Sequence, residues 1–405
     1  MTRRADDDDL SVTGTGCVTP LGSGVAALYD GWLAGACGIR AVRRFPVEPL
    51  AVRIGGEMED PAGPWPEGLR GAAHLDDCLA QALSASALPR GARVAVIVAT
   101  TKGFLDAGRG TAVGDPSHDI GTPARWVAGR LRERFGLDVA PIGSGFRPMT
   151  ISTACASGTA ALAVAAARTP AMSAAGLDAV VVAGVDLLSD FVFRGFAALA
   201  AMDPNPCRPF DTHRAGMSAS EAAAVIVLEP SARARARGAR VLGWITGWGL
   251  ANDAAHATAP SRDGSGMAHA IGDALGRAGL DASELGHVHA HGTATVFNDA
   301  MEVRALTSAL GEASRDVVVT TLKGTIGHAF GVAGLVETIA SLEAVSRGVI
   351  PAIRGLVTPE PGLRLATSPV SLASPRFLKI GAGFGGFDAA VVVEGVRSAT
   401  EGRRV

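Results

Sequence analysis

Two stretches decide the fold: Thr150-Ile-Ser-Thr-Ala-Cys-Ala-Ser-Gly-Thr-Ala-Ala-Leu-Ala-Val-Ala-Ala-Ala167 and Thr320-Thr-Leu-Lys-Gly-Thr-Ile-Gly-His-Ala-Phe-Gly-Val-Ala-Gly-Leu-Val-Glu-Thr-Ile-Ala340. Each leaves an extended segment, crosses a turn of glycine, serine and threonine, and enters a helix of small residues. A strand–turn–helix unit in each half would bring two helix N-termini to one central site. Such units recur in any α/β protein, so the duplication needs support from the rest of the chain.

Working outward, short β-branched runs predict buried strands at Val94–Ala99, Ala179–Ala183, Ala222–Leu228, Val241–Trp248, Val288–Ala290 and Val317–Thr321. Helices are predicted at Val25–Ala36, Trp126–Phe135, Cys155–Arg168, Gly266–Ala278, Ala300–Leu310 and Gly331–Ser346. The alternation points to α/β layers around buried sheets. Residues 1–9 read as a disordered tail, Gly38–Gly71 as loops and short strands, and 103–123 as an excursion. The chain divides into halves at 10–240 and 241–405, with Ser231–Arg240 as a basic helix or linker between them.

Composition fits two large buried halves: 405 residues, 48% apolar and 19% charged. Aromatics are scarce at 5%, and the 52 glycines suit backbones packed close in layers. A net charge of −2 argues against a general nucleic-acid binder. The five cysteines (Cys17, Cys37, Cys78, Cys155 and Cys207) are scattered without a CxxC pair, which suits a reducing cytosol rather than a disulfide framework. Asp6–Asp9 stand where a signal peptide needs apolar residues, and no apolar run is long enough to span a bilayer. The reading is a cytoplasmic protein with no nucleic-acid or membrane partner.

Cys155 stands at the start of a predicted helix, where free N–H groups and the helix dipole favour a thiolate or an oxyanion. A free cysteine is as often a small buried hydrophobe, and the helix start alone leaves both readings open. His287-Val-His-Ala-His291 puts three histidines on alternate positions, a pattern that can hold zinc with Asp299, Glu302 or His328. The competing reading makes His287 and His289 half-exposed strand residues. Gly14-Thr-Gly16 lacks the third glycine of a dinucleotide fingerprint, because position 19 is Thr, and it reads as a structural turn. Gly381-Ala-Gly-Phe-Gly-Gly386 is a glycine-dense loop that lets a backbone N–H come close to a reacting carbonyl.

Taken together the segments resemble the elongating β-ketoacyl-acyl-carrier-protein synthases of the thiolase-like superfamily. The resemblance runs in order through Val12–Gly22, Thr153-Ala-Cys-Ala-Ser-Gly158, Cys207-Arg-Pro-Phe-Asp211, His291-Gly-Thr-Ala-Thr295, Lys323 to His328 and Gly383-Phe-Gly-Gly386. It implies a thiolase-like α/β fold, two similar halves forming a five-layered α-β-α-β-α sandwich. It implies Cys155 as nucleophile, His291 and His328 as its catalytic partners, and Lys323 paired with Glu302 to organise them, with Asp299 nearby. The N–H groups of Cys155 and Phe384 would form the oxyanion hole, with the Phe384 ring gating the acyl pocket. Thr293 and Thr295 would contact the phosphopantetheine arm of an acyl carrier protein, and Met217 would shape the pocket. No metal and no resident cofactor is implied.

The chain departs from the family at Arg214-Ala-Gly-Met-Ser-Ala-Ser-Glu-Ala-Ala-Ala224, where glycines are replaced, and at Phe387-Asp388. Phe387 looks more like the ketosynthases of type II polyketide or polyene systems, which work as homodimers or pair with a chain-length-factor-like subunit. The alternatives are a housekeeping fatty-acid elongation synthase, a coenzyme A-dependent thiolase and a silent chain-length-factor scaffold. No cysteine follows Cys207, which counts against the thiolase. Arg40, Arg43, Arg44, Arg53 and Arg70 suggest a patch for an acidic carrier, or no more than solvated surface.

Overall fold

Strand β1, Leu10–Thr19, runs straight through the glycine-rich stretch that reads as a turn in sequence. Its glycines serve close packing against helix α1, Arg70–Ser86. A Cβ on Gly14 would lie 2.1 Å from Ala82 O, and one on Gly16 would lie 2.4 Å from Cys78 O. The computed structural model describes residues 9–62, 69–104, 119–140 and 145–398. Most of the expected 103–123 excursion and residues 1–8 of the expected tail lie outside them. Asp9 does not belong to a tail, because it is buried and its carbonyl accepts from Ser231 N.

In the first half, β2 (Arg93–Ala99), β3 (Met149–Ile151), β4 (Ala179–Asp186) and β5 (Ala222–Pro230) join β1 in the order β3-β2-β4-β5-β1. The second half repeats the plan with β6 (Gly243–Asn252), β7 (His287–His289), β8 (Val318–Thr320), β9 (Arg376–Gly383) and β10 (Phe387–Gly395), in the order β8-β7-β9-β10-β6. Each half begins with parallel pairs and ends with two antiparallel ones. The two sheets meet where Leu10–Val12 pairs with Ile245–Gly243, so hydrogen bonding continues from one into the other. Val180, Val181, Val182, Val391, Val392 and Val393 are all buried, as strands covered on both faces require.

Further helices include α2 (Thr122–Glu133), α3 (Ser157–Ala167), α4 (Asp190–Ala198), α5 (Ser265–Ala278), α6 (Val296–Leu310) and α7 (Ala333–Arg347). α1 and α2 cover the outer face of the first sheet, and α5, with α6 beside it, covers that of the second. α3 and α7 lie between the sheets and touch both. That gives five layers, α-β-α-β-α. A helix covered on both sides needs no polar stripe, which is why α3, Ser-Gly-Thr-Ala-Ala-Leu-Ala-Val-Ala-Ala-Ala, is built of small and apolar residues without a charge.

The middle helices cross at glycine. A Cβ on Gly158 would stand 2.9 Å from both Gly331 O and Leu335 N, and one on Gly334 would stand 2.5 Å from Thr159 N. Both glycines are the second residue of their helices, so the crossing brings the two N-termini together. Three residues before each helix stands a non-glycine residue in left-handed conformation, Ala154 (φ 49°) and Phe330 (φ 51°). The duplication suggested by the sequence is thus repeated in the backbone of the two turns.

Candidate active site

Cys155 does not begin the helix, as the sequence suggests; it stands two residues before α3, on a tight turn out of β3. Ser157 closes that turn by donating to Ala154 O at 2.6 Å and accepting from Thr153 N at 2.9 Å. The turn holds Ala154 in the left-handed region, a strained conformation for a residue with a Cβ. Cys155 lines a cavity of about 310 Å³ together with His291, His328, Thr293, Thr295, Met217 and Phe384. These seven of the residues named from sequence line one space, and Lys323, Glu302 and Asp299 are not in its lining.

His291 follows β7 on a loop that needs left-handed backbone at Gly292 (φ 52°) and Ala294 (φ 68°). Glu302, on α6, fixes the loop by accepting from His291 N and Gly292 N, each at 2.6 Å. Asp299, one turn earlier, accepts from Phe210 N at 2.7 Å and Ala294 N at 3.1 Å. Thr293 Oγ1 lies 3.0 Å from Thr295 Oγ1. His328 is held from the other half: its N–H donates to Ser218 O at 2.8 Å, and its carbonyl accepts from Ser220 N at 2.9 Å. The divergent segment after Arg214 therefore supports a site residue through its backbone, which tolerates the altered side chains. Met217, at its centre, is buried against Met202 and closes one side of the cavity.

Lys323 does not pair with Glu302. Its Nζ donates to Glu337 Oε1 at 2.5 Å and to His291 O at 2.5 Å. Glu302 is already engaged by backbone N–H groups and by Asn298 Nδ2 at 2.7 Å, so its charge is spent on the loop. Glu337 lies on α7 and also faces Lys379 of β9, 2.7 Å from its other oxygen. Three fully buried charges thus form a Lys–Glu–Lys group behind the histidines. Glu337 and Lys379 were both missed in sequence. Their signal was a lone charge inside an apolar run, Gly-Leu-Val-Glu-Thr-Ile and Phe-Leu-Lys-Ile, which is rarely buried without a partner.

The electrostatics follow from burial. Desolvation, with Lys323 adding to it, holds the His291 and His328 imidazoles well below their ordinary 6.5, so both are neutral near pH 7. A neutral imidazole keeps one N–H to donate. Their rings stand 5.2 Å apart at 89°. The Cys155 thiol is not lowered by its place before a helix: burial pushes it up to about 12, Asp186 adds to the rise, and Lys323 and Lys102 oppose it. Among the described residues the N–H groups of Cys155 and Phe384 donate to no carbonyl. Gly383 brings the two segments together, since a Cβ there would lie 3.3 Å from Cys155 N and 2.5 Å from Thr153 O.

His287 and His289 are not half-exposed; both are fully buried and share Ser341 Oγ, at 3.2 and 2.8 Å. His289 also accepts from Leu322 N. Among the described residues no three histidine, cysteine or acidic side chains cluster as metal ligands. The arginines from Arg40 to Arg70 do not form one patch. Arg70 is buried and grips Glu221 with two hydrogen bonds, Arg44 reaches Asp60 and Glu221, and Arg43 and Arg53 face Glu57, Glu59 and Glu48. Among the described residues no helix is long and apolar enough to cross a membrane.

Two family models match the chain, the N-terminal domain of β-ketoacyl synthases over residues 70–234 and the C-terminal domain over 242–356. With five layers, Cys155 and His328 ahead of the two crossing helices and His291 on the loop after β7, the chain belongs to the β-ketoacyl synthase family. It is 33% identical to a polyketide β-ketoacyl synthase 1 of Streptomyces cyaneus, over 98% of this chain and 99% of that one. It is 31% identical to 3-oxoacyl-[acyl-carrier-protein] synthase 2 of Vibrio cholerae, over 88% and 91%. Among solved structures it is similar to a β-ketoacyl synthase of Burkholderia phymatum (TM-score 0.82, 26% identity, 96% and 100% covered) and to the ishigamide ketosynthase/chain length factor (TM-score 0.81, 25% identity, 96% and 99% covered).

Proposed function

We propose that Cys155 takes an acyl group from a carrier thioester and that His291 and His328 then support its decarboxylative condensation with malonyl-carrier. The observation that carries this reading is the cavity floor, where one thiol and two neutral imidazoles meet. Attack by the Cys155 sulfur on the thioester carbonyl forms the acyl-enzyme, with the carrier sulfur leaving as its thiol and carrying away the proton Cys155 gives up, and this divides a difficult condensation into two steps. Loss of CO₂ from the malonyl group leaves an enolate, and two N–H donors aimed at its oxygen stabilise the charge where it develops. The enolate carbon attacks the acyl carbonyl, whose oxygen sits against the N–H groups of Cys155 and Phe384, and collapse returns the thiolate. Decarboxylation supplies the carbanion, so no base has to remove a proton from carbon. Lys323 and Glu302 act as positioning residues, one on the carbonyl of His291 and the other on its N–H.

Thr293 and Thr295 stand at the cavity wall as the hydroxyl contacts for a pantetheine arm, and Phe384 as the ring an acyl chain must pass. The substrates arrive on an acyl carrier protein in this reading. The pathway is type II polyketide or polyene assembly, supported by the Streptomyces relatives and by Phe387, 39% exposed beside the Gly385–Gly386 turn. Among the described residues β3 pairs only with β2 and keeps half-buried side chains, an edge suited to a second synthase subunit or a chain-length-factor-like partner. In the test, His291→Ala and His328→Ala proteins are loaded with a short acyl group and then given malonyl-carrier. Each variant should still carry the acyl adduct but release CO₂ about 10²-fold or more slowly. Unimpaired CO₂ release from both would remove the histidines from the mechanism.

A further inference from the structure

Beside the site lies a buried ion pair that the condensation chemistry does not use. Asp186, at the end of β4, is fully buried, and it accepts from Thr100 Oγ1 and Thr101 Oγ1, each at 2.9 Å, and from Gly331 N at 2.7 Å. Its cation is Lys102, whose Nζ lies 3.2 Å from Asp186 Oδ1 and whose side chain is 7% exposed. The same ammonium stands 4.2 Å from the centroid of the Phe330 ring. From Phe330 the rings continue in contact: Phe330 to Phe196 at 5.5 Å, and Phe196 to Phe384 at 5.7 Å. Phe196 and Phe384 both line the cavity that holds Cys155.

A desolvated cation over an aromatic face binds that ring more strongly than an exposed one does. Phe330 has little freedom of its own, since its backbone is left-handed and the next N–H is tied to Asp186. The Lys102–Asp186 pair therefore anchors both the backbone and the ring at the foot of a three-ring stack. The top of that stack is the cavity wall. An acyl chain too long for the closed cavity has to part Phe384 from Phe196, and the resistance it meets depends on how firmly Phe196 is backed. We propose that Lys102 is a positioning and specificity-determining residue, which holds the Phe330–Phe196–Phe384 stack and so limits the length of acyl chain that Cys155 accepts. This rests on the reading of Cys155 as the acyl carrier.

The test measures loading of Cys155 by intact mass with butyryl and with dodecanoyl N-acetylcysteamine thioesters, in wild type, Lys102→Met, Lys102→Arg and Lys102→Met/Asp186→Asn. The double variant avoids leaving Asp186 buried without its cation, should the single one fail to fold. Losing the cation–ring contact should raise the dodecanoyl-to-butyryl rate ratio about fivefold, apart from any slowing common to both chains when a cation is taken from near Cys155, and Lys102→Arg should keep the wild-type ratio. A ratio equal to wild type in the folded variants, or equal slowing of both chains, overturns the role of Lys102. Wild type that takes neither thioester overturns the reading of Cys155 and this inference with it.

Discussion

Gly158 and Gly334 touch backbone to backbone where the two central helices cross: the Cα of Gly334 lies 3.2 Å from the place a Cβ on Gly158 would occupy. The contact fixes how closely the N-terminus carrying Cys155 approaches the one that follows His328. A methyl group at either position must push the helices apart, because every neighbouring atom within 3 Å belongs to backbone or to Thr159. Gly334→Ala should lower stability by about 1–3 kcal/mol in denaturant titration, the usual range for overpacking. It should slow condensation more than acyl loading, since in the proposed reaction the histidines, among them His328 ahead of the second helix, enter only at condensation. An activity loss equal in both steps would place the effect in folding.

Glu337 neutralises two lysines at once, so removing it is not equivalent to removing either of them. Glu337→Gln leaves Lys323 and Lys379 buried together without a counter-charge, and should cost about 3–5 kcal/mol. Lys323→Met leaves Glu337 its partner Lys379 at 2.7 Å, and should cost less. Chemical denaturation of the two variants checks the order, and the reverse order would contradict the shared-charge arrangement.

Asp388 gives stability a pH dependence of known sign. Burial, with Asp253 and Glu302 nearby, raises its carboxyl from the ordinary 3.8 to about 7. The folded protein therefore holds a proton there that the unfolded chain gives up. The associated stability is complete below the ordinary carboxyl range, declines as pH rises, and is gone above about 7. Asp388→Asn removes the titration, so its Tm relative to wild type should be higher at pH 8.5 than at pH 4. A difference that does not change between those pH values would show that folding leaves the Asp388 carboxyl at its ordinary value.

Cys155 should rest as a neutral, half-buried thiol and alkylate only through its small thiolate fraction. With its pKa pushed up to about 12, the iodoacetamide rate should climb about tenfold per pH unit between pH 7 and 10. Mass mapping of the modified peptide checks it. A rate that is flat over that range would mean that the thiolate is already formed in the free protein.

Most strand positions, though not their order, were legible because strands buried on both faces announce themselves as β-branched runs, as in Ala-Val-Val-Val-Ala-Gly-Val-Asp. The helix Arg70–Ser86 was not. It follows a stretch rich in proline and glycine, Leu69 gives it no side-chain cap, and its buried face is built from Ala72, His74, Cys78 and Ala82 as much as from leucine. Asp190–Ala198 was not legible either, although Ser189 caps it: Phe193 is its one buried side chain, so no apolar stripe marks it, and Gly195 interrupts it. Within the site, Cys155, His291 and His328 stood out by their glycine frames, which mark left-handed or closely packed backbone. The resemblance implied Glu302 as the partner of Lys323; the fold shows that backbone N–H groups occupy Glu302 and that Lys323 pairs with Glu337.

The central claim is that Cys155 carries the acyl group, and intact-mass spectrometry tests it most directly. Purified protein is mixed with an acyl carrier protein charged with a short acyl thioester, beside Cys155→Ala, first alone and then with any co-expressed partner subunit. Wild type should gain the mass of one acyl group, the variant should gain none, and malonyl-carrier should discharge the adduct into a β-ketoacyl product. An adduct on the Cys155→Ala protein, or none on wild type under either condition, would contradict the account.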